Sequence, residues 1–168
     1  MTIWRLRVDG YPQPKGSMKC IGRRGPTGHQ LIEDDKTGAK KAWRDTLTDA
    51  ARLLAGKLPN QGDAGVIVGV LALVPRPASA RRRPLPTTRS SGDVDKLLRA
   101  VADPLDTADV YIDDSRIVLA IPAKVYADDG RPGAIVWVAP VGTDPHQILQ
   151  LMLAAAPALV GSEPVPLT

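Results

Sequence analysis

The 168-residue chain has no phenylalanine, one cysteine and two histidines. With aromatic residues at only 4%, the core must rest on Leu, Val, Ile and Ala with a few Trp and Tyr. A lone cysteine, Cys20, rules out an intrachain disulfide, so nothing asks for an oxidising compartment. Cys20 falls in a loop-like stretch without an evident base and reads as a small apolar residue, not a nucleophile. His29 and His146 lie far apart, and no pair of histidines or cysteines has metal-ligand spacing. There is no Walker loop and no glycine fingerprint for a dinucleotide. Ser17 and Ser115 have no candidate triad around them. No apolar run approaches a membrane span, and Met1 to Gly10 lacks a signal-peptide pattern. A cytoplasmic protein without membrane contact is expected.

What the chain does have is segregated charge. It carries 22 Lys and Arg against 18 Asp and Glu, a net charge of +4, which favours polyanionic partners. Its 43% hydrophobic content is globular, and its length suits one domain with a tail. From Arg76 to Arg99 there are seven basic residues and two acids, whereas Val101 to Asp114 holds five acids and no base.

The hydrophobic pattern predicts an α+β domain of order β-α-β-α-β-β, a mixed sheet with helices packed on it. Ile3 to Val8 alternates as a half-buried strand. Gly10 to Gly28 reads as a basic loop carrying Lys15, Lys19, Arg23 and Arg24. A helix starting at Asp34 or Asp35 presents Trp43, Leu47, Ala50 and Leu54 on one face, and Gly56 closes it. Val66 to Val74 reads as a central strand. Pro75 to Gly92 is a second basic loop, with four prolines expected to keep it extended. In the next helix Val94, Leu97, Leu98, Val101 and Leu105 share a face, and Asp95, Arg99 and Asp103 lie opposite. Pro104 predicts an end or kink near Asp103. Ile117 to Tyr126 reads as a strand interrupted or bulged at Pro122, Asp128 to Gly133 as a turn, and Ala134 to Ala139 as a strand pairing back in a hairpin. Residues 1–143 form the expected domain. Residues 144–168 are an extension, with a short apolar helix between Ile148 and Leu159 and a loose tail from Gly161.

Aspartates open helices and turns everywhere, so Asp93 and Asp95 read alone as caps, and Asp113-Asp114 as a turn. Together they suggest more. Capping needs one acid, not two beside an arginine loop. Grouped carboxylates suit a divalent cation, arginines suit phosphate, and a cation can direct water at a phosphate ester. This pattern points to a metal-dependent nuclease. Arg99, one turn after Asp95, can form an i, i+4 pair or face the phosphate. Arg81, Arg82 and Arg83, with Lys15, Lys19 and Lys96, are candidate contacts to the DNA backbone. Asp93, Asp95 and Asp114 are expected to converge on one cation-sized space with Arg99 facing it.

Asp93-Val94-Asp95-Lys96-Leu97-Leu98-Arg99 to Asp103, followed by Tyr111-Ile112-Asp113-Asp114-Ser115-Arg116, resembles the RusA family of Holliday-junction resolvases. So do the arginine stretch before Asp93 and the early loop Gly10-Tyr11-Pro12-Gln13-Pro14-Lys15-Gly16-Ser17. The resemblance spans roughly residues 1–140. It implies a homodimeric, Mg²⁺-dependent endonuclease of phage or prophage type, with Mn²⁺ as a possible substitute. Such an enzyme makes paired nicks across four-way DNA junctions in recombination and repair, and would act in the host cytoplasm if phage-encoded. It implies essential carboxylates at Asp93, Asp95 and Asp114, and Arg99 where the family has a lysine. That exchange keeps the charge but replaces a point charge with a planar fork. Beside these carboxylates Asp113 is expected to support the cluster or to bind the metal through water. The rival readings are a non-catalytic branched-DNA-binding protein and a metal-dependent nuclease for flaps, forks or single strands.

Overall fold

The computed structural model describes residues 2–15, 38–57 and 64–159 in full, and the backbone of two further strands at 19–24 and 29–33. Asp34, Asp35 and the tail from Gly161 lie outside the described residues, as do the side chains of Lys19, Cys20, Arg23, Arg24 and His29.

The elements run β1 (Trp4–Asp9), β2 (Lys19–Arg24), β3 (His29–Glu33), α1 (Gly38–Ala51), β4 (Val66–Val74), α2 (Val94–Thr107), β5 (Ile117–Tyr126), β6 (Gly133–Pro140) and α3 (Pro145–Ala155). The main sheet has strand order β1-β6-β4-β5. Along it the expected β-α-β-α-β-β order holds, and the class is α+β. The addition is the antiparallel hairpin β2–β3, in and after the stretch read as a loop. Its strands carry Lys, Gly, Arg, His, Gln and Glu with no clean alternation, so period two gave no signal there.

The buried set follows strand alternation. Val66, Val68 and Val70 of β4 and Ala134, Val136 and Val138 of β6 face Trp43 and Leu47 of α1 and Val101 and Leu105 of α2. Ile67 and Leu71 of β4, with Ile135 and Trp137 of β6, face Ile148 and Met152 of α3. All nine residues of β4 are therefore buried, and it lies inside the sheet as expected. Gly69 makes the α3 side possible, because a Cβ there would lie 2.7 Å from Ile148 Cγ2. The short apolar helix after the expected domain is thus a working layer of the core.

Three local expectations change. β6 does not pair with β5 as a hairpin. It lies between β1 and β4, antiparallel to both, while β5 runs parallel to β4 on the other side. A two-strand pattern cannot reveal that a third strand fills the gap. β5 is neither interrupted nor bulged at Pro122, which stays in register opposite Val70. It is an edge strand, where a missing N–H costs no ladder bond; the irregularity comes at its start, where the register shifts past Val118. α2 does not stop at Asp103 but runs through Pro104 to Thr107. Pro104 and Leu105 are buried, the Ala108 N–H donates to the Pro104 carbonyl at 3.0 Å, and the buried Tyr111 hydroxyl donates to the Ala102 carbonyl at 2.9 Å. Packing and these bonds hold the turns that a proline weakens.

Candidate active site

β4, α2 and β5 form one β-α-β unit. Because β4 and β5 are parallel, α2 must run back against them. Its start therefore lies at the C-terminal ends of the two strands, and its end lies at the entrance to β5. This geometry places every candidate carboxylate.

At the start of α2, Gly92 takes φ +76°, a left-handed turn that favours glycine, and is closely approached by Pro14. Lys124, near the end of β5, donates to the Gly92 carbonyl at 2.5 Å and to Ser91 Oγ at 3.0 Å. Asp93 then occupies the cap position, but its side chain accepts no capping hydrogen bond. It meets Lys96 Nζ at 2.8 Å instead. That contact, with weaker help from Lys124 and Arg89, holds the Asp93 carboxyl below the usual carboxylate range, and the same pair raises the Lys96 ammonium. Asp95 is exposed on the first turn, 3.4 Å from Arg99 across an i, i+4 pair. Such exposed pairs stabilise little. Two exposed carboxylates thus stand two residues apart at the start of α2, and Asp93 does not cap the helix.

The arginine loop packs against this end. It is not extended as expected but folds into short 3-10 turns at Ala78–Ala80 and Arg89–Ser91. Arg76 organises it. Its guanidinium grips Asp128 through two bonds of 2.9 Å, lies 4.0 Å over the Tyr126 ring, and donates to the carbonyls of Ala80 and Arg83. Ala80 is buried with Leu97 and Tyr126. Arg81, Arg82 and Arg83, which follow it in the chain, are left exposed. Lys15 lies along α2, its N–H bonded to the Lys96 carbonyl and its Nζ 2.6 Å from Asp103. Nothing in the sequence flagged Lys124, a lone lysine in an apolar strand.

Asp113 and Asp114 sit at the other end. Asp113 does cap: its carboxylate accepts from the Ser115 N–H at 2.8 Å, and the Ser115 side chain first, then this N–H, hold it below the usual carboxylate range. Asp114 opens the 3-10 turn that leads into β5. Partial burial first, then the charges of Asp113, Asp114, Asp103 and Asp109, push the Asp106 carboxyl up. Asp114 therefore belongs to an acidic cluster around the C-terminal half of α2. The expected convergence with Asp93 and Asp95 does not occur within the chain. α2 covers about 20 Å, and the path along β5 from Ile117 to Lys124 covers about 23 Å. The expectation had a long connection bring the chain back to Asp93; in the fold, β5 itself makes that return journey. Among the described residues, no three His, Cys, Asp or Glu side chains are grouped to hold a metal ion.

Paired exposed carboxylates beside an exposed arginine loop are equipment for working on phosphate esters. The chain belongs to the RusA family: the family model described as Endodeoxyribonuclease RusA matches residues 10–138, most of its length. It is accordingly a DNA endonuclease, of a family that acts on branched DNA junctions. No curated protein matches the chain. No helix among the described residues is long and apolar enough to cross a membrane.

Proposed function

We propose that the protein is a Mg²⁺-dependent endonuclease that resolves four-way DNA junctions by paired phosphodiester hydrolysis, acting as a homodimer in recombination and repair. The observation that carries this reading is Asp93, which holds the helix-cap position without capping and so presents an ionised carboxylate beside Asp95 and the arginine loop. Those two carboxylates suit Mg²⁺, which takes one or two protein carboxylates and keeps several waters. When bound, the ion would polarise a phosphoryl oxygen and lower the pKa of the attacking water. Arg99 would steady phosphate charge from the next turn, and Arg81, Arg82 and Arg83 would track the backbone.

Asp114 completes the carboxylate set only if a second copy of the chain brings its own Asp114 to this Asp93 and Asp95. A two-fold dimer would then carry two such sites for a symmetric substrate. Asp113, engaged in its cap, would orient Asp114.

Incubation with a labelled mobile four-way junction, with and without Mg²⁺, tests the proposal. Paired incision only with the cation is expected. Tight binding without incision would make the protein a junction binder. Stronger cutting of forks, flaps or single strands would move it to another nuclease class.

A further inference from the structure

A pocket of about 240 Å³ opens next to the start of α2. One wall is the early loop with Tyr11 and Pro14, another holds Arg76, and the third holds Thr88, Ser90 and Ser91. Ser91 lies two residues from Asp93, at most about 7.6 Å along the Cα trace. The chain has six aromatic residues, and Tyr11 alone is exposed, at 60%; Trp43, Tyr111, Tyr126 and Trp137 are buried and Trp4 is half-buried. A protein this poor in aromatics leaves one in water at the edge of a cavity beside its carboxylates.

The pocket is firmly built. Ser91 Oγ donates to the carbonyls of Pro86 and Thr88, 2.7 and 2.6 Å away, and accepts from Lys124 at 3.0 Å. Arg76 is fixed by Asp128. The hydroxyls of Thr88 and Ser90 lie 3.1 Å apart and bond to each other. Either can turn to donate or accept.

We infer that this pocket takes one unpaired nucleobase of the DNA substrate, stacked on Tyr11 with its edge towards Thr88 and Ser90. The inference rests on the nuclease reading above and adds a subsite to it. The volume lies just under the ~300 Å³ at which ordinary ligand pockets begin, so it suits a flat ring system better than a whole nucleotide. Aromatic faces hold splayed bases, and unstacking is cheapest where pairing is already disturbed, as at a junction's exchange point. Capture there would settle the adjoining phosphate near Asp93 and Asp95. It would also make cutting depend on the base at that position.

The test couples Tyr11 to a single base. Full-length wild-type, Tyr11→Ala and Tyr11→Phe proteins are titrated with four-way junctions that carry an abasic position at each nucleotide flanking the exchange point in turn. Tyr11→Ala should weaken binding of the intact junction about tenfold, in line with the removal of one base–aromatic stack. Tyr11→Phe should bind normally. At one abasic position the difference between wild type and Tyr11→Ala should vanish. A penalty that persists equally at every abasic position, or no penalty at all, overturns the inference while leaving the nuclease reading intact. A wild-type protein that neither binds nor cuts the junction refutes the nuclease reading itself, and the subsite with it.

Discussion

Two ligand oxygens on one Mg²⁺ ion lie no more than about 4 Å apart, whereas α2 alone puts about 20 Å between its ends. Asp93 and Asp95 stand at one end and Asp114 beyond the other. Three carboxylates can therefore meet only between chains. The prediction is intersubunit complementation. One protein carries Asp93→Asn and Asp95→Asn, and the other carries Asp114→Asn; each alone should be inactive yet bind the junction, because asparagine keeps size and removes charge. Unfolding and refolding the two together in equal amounts should give dimers of which about half are mixed. In a mixed dimer one site receives every substitution, and the other receives none. About a quarter of the wild-type number of intact sites should reappear, and a dimer with one intact site should nick the junction without resolving it. Denaturing gels of doubly labelled junctions separate nicks from paired cuts. If the mixture stays inactive although mixed dimers are demonstrated by a size tag, the carboxylates do not assemble across chains. The three-carboxylate site would then be wrong for this protein.

Replacing Arg81, Arg82 and Arg83 with alanine should weaken binding to all DNA sequences and lower the log–log salt slope by up to about 2.7, at ~0.9 for each phosphate no longer neutralised; an unchanged slope would place the DNA path elsewhere. Lys124→Met removes two hydrogen bonds from a charged donor, so it should cost roughly 1.5–3 kcal/mol and lower Tm by about 3–12 °C for a chain of this size. Cleavage should fall as the turn before Asp93 loosens, and an unaltered melting curve would deny Lys124 that role. Asp106→Asn should raise Tm by ~1–2 °C at neutral pH and low salt. The raised pKa of Asp106 means its charge destabilises the fold above the folded pKa. The gain should therefore shrink as pH falls through that value towards the unfolded one near 3.8, and also in high salt. A gain that is constant with pH would rule out charge as its source.

The core strands and helices were legible because their residues report burial directly. β4 reads as a central strand since nine apolar residues in a row leave no solvent face. α2 reads as an amphipathic helix since Leu97, Val101 and Leu105 repeat at its period. Two signals misled. Pro104 reads as an end or a kink by local sterics, but α2 does not end there, because the packing of Leu105 and the bond from Tyr111 outweigh that preference. The hairpin β2–β3 is held by backbone pairing, and its sequence carries no period to announce it.

For the site, the sequence determined which residue types were present and which were neighbours along the chain: Asp93 with Asp95, Asp113 with Asp114, arginines before both. It also carried the family pattern that marks an endonuclease. Tertiary structure alone decided that Asp93 does not cap while Asp113 does, that Lys124 ties β5 to the turn before α2, and that Tyr11 borders a pocket. It also decided that the two acidic pairs lie at opposite ends of one β-α-β unit. The physical reason is direction. Spacing in sequence fixes how far apart two residues can be, but only the parallel pairing of β4 with β5 fixes which way α2 must run, and so which ends meet.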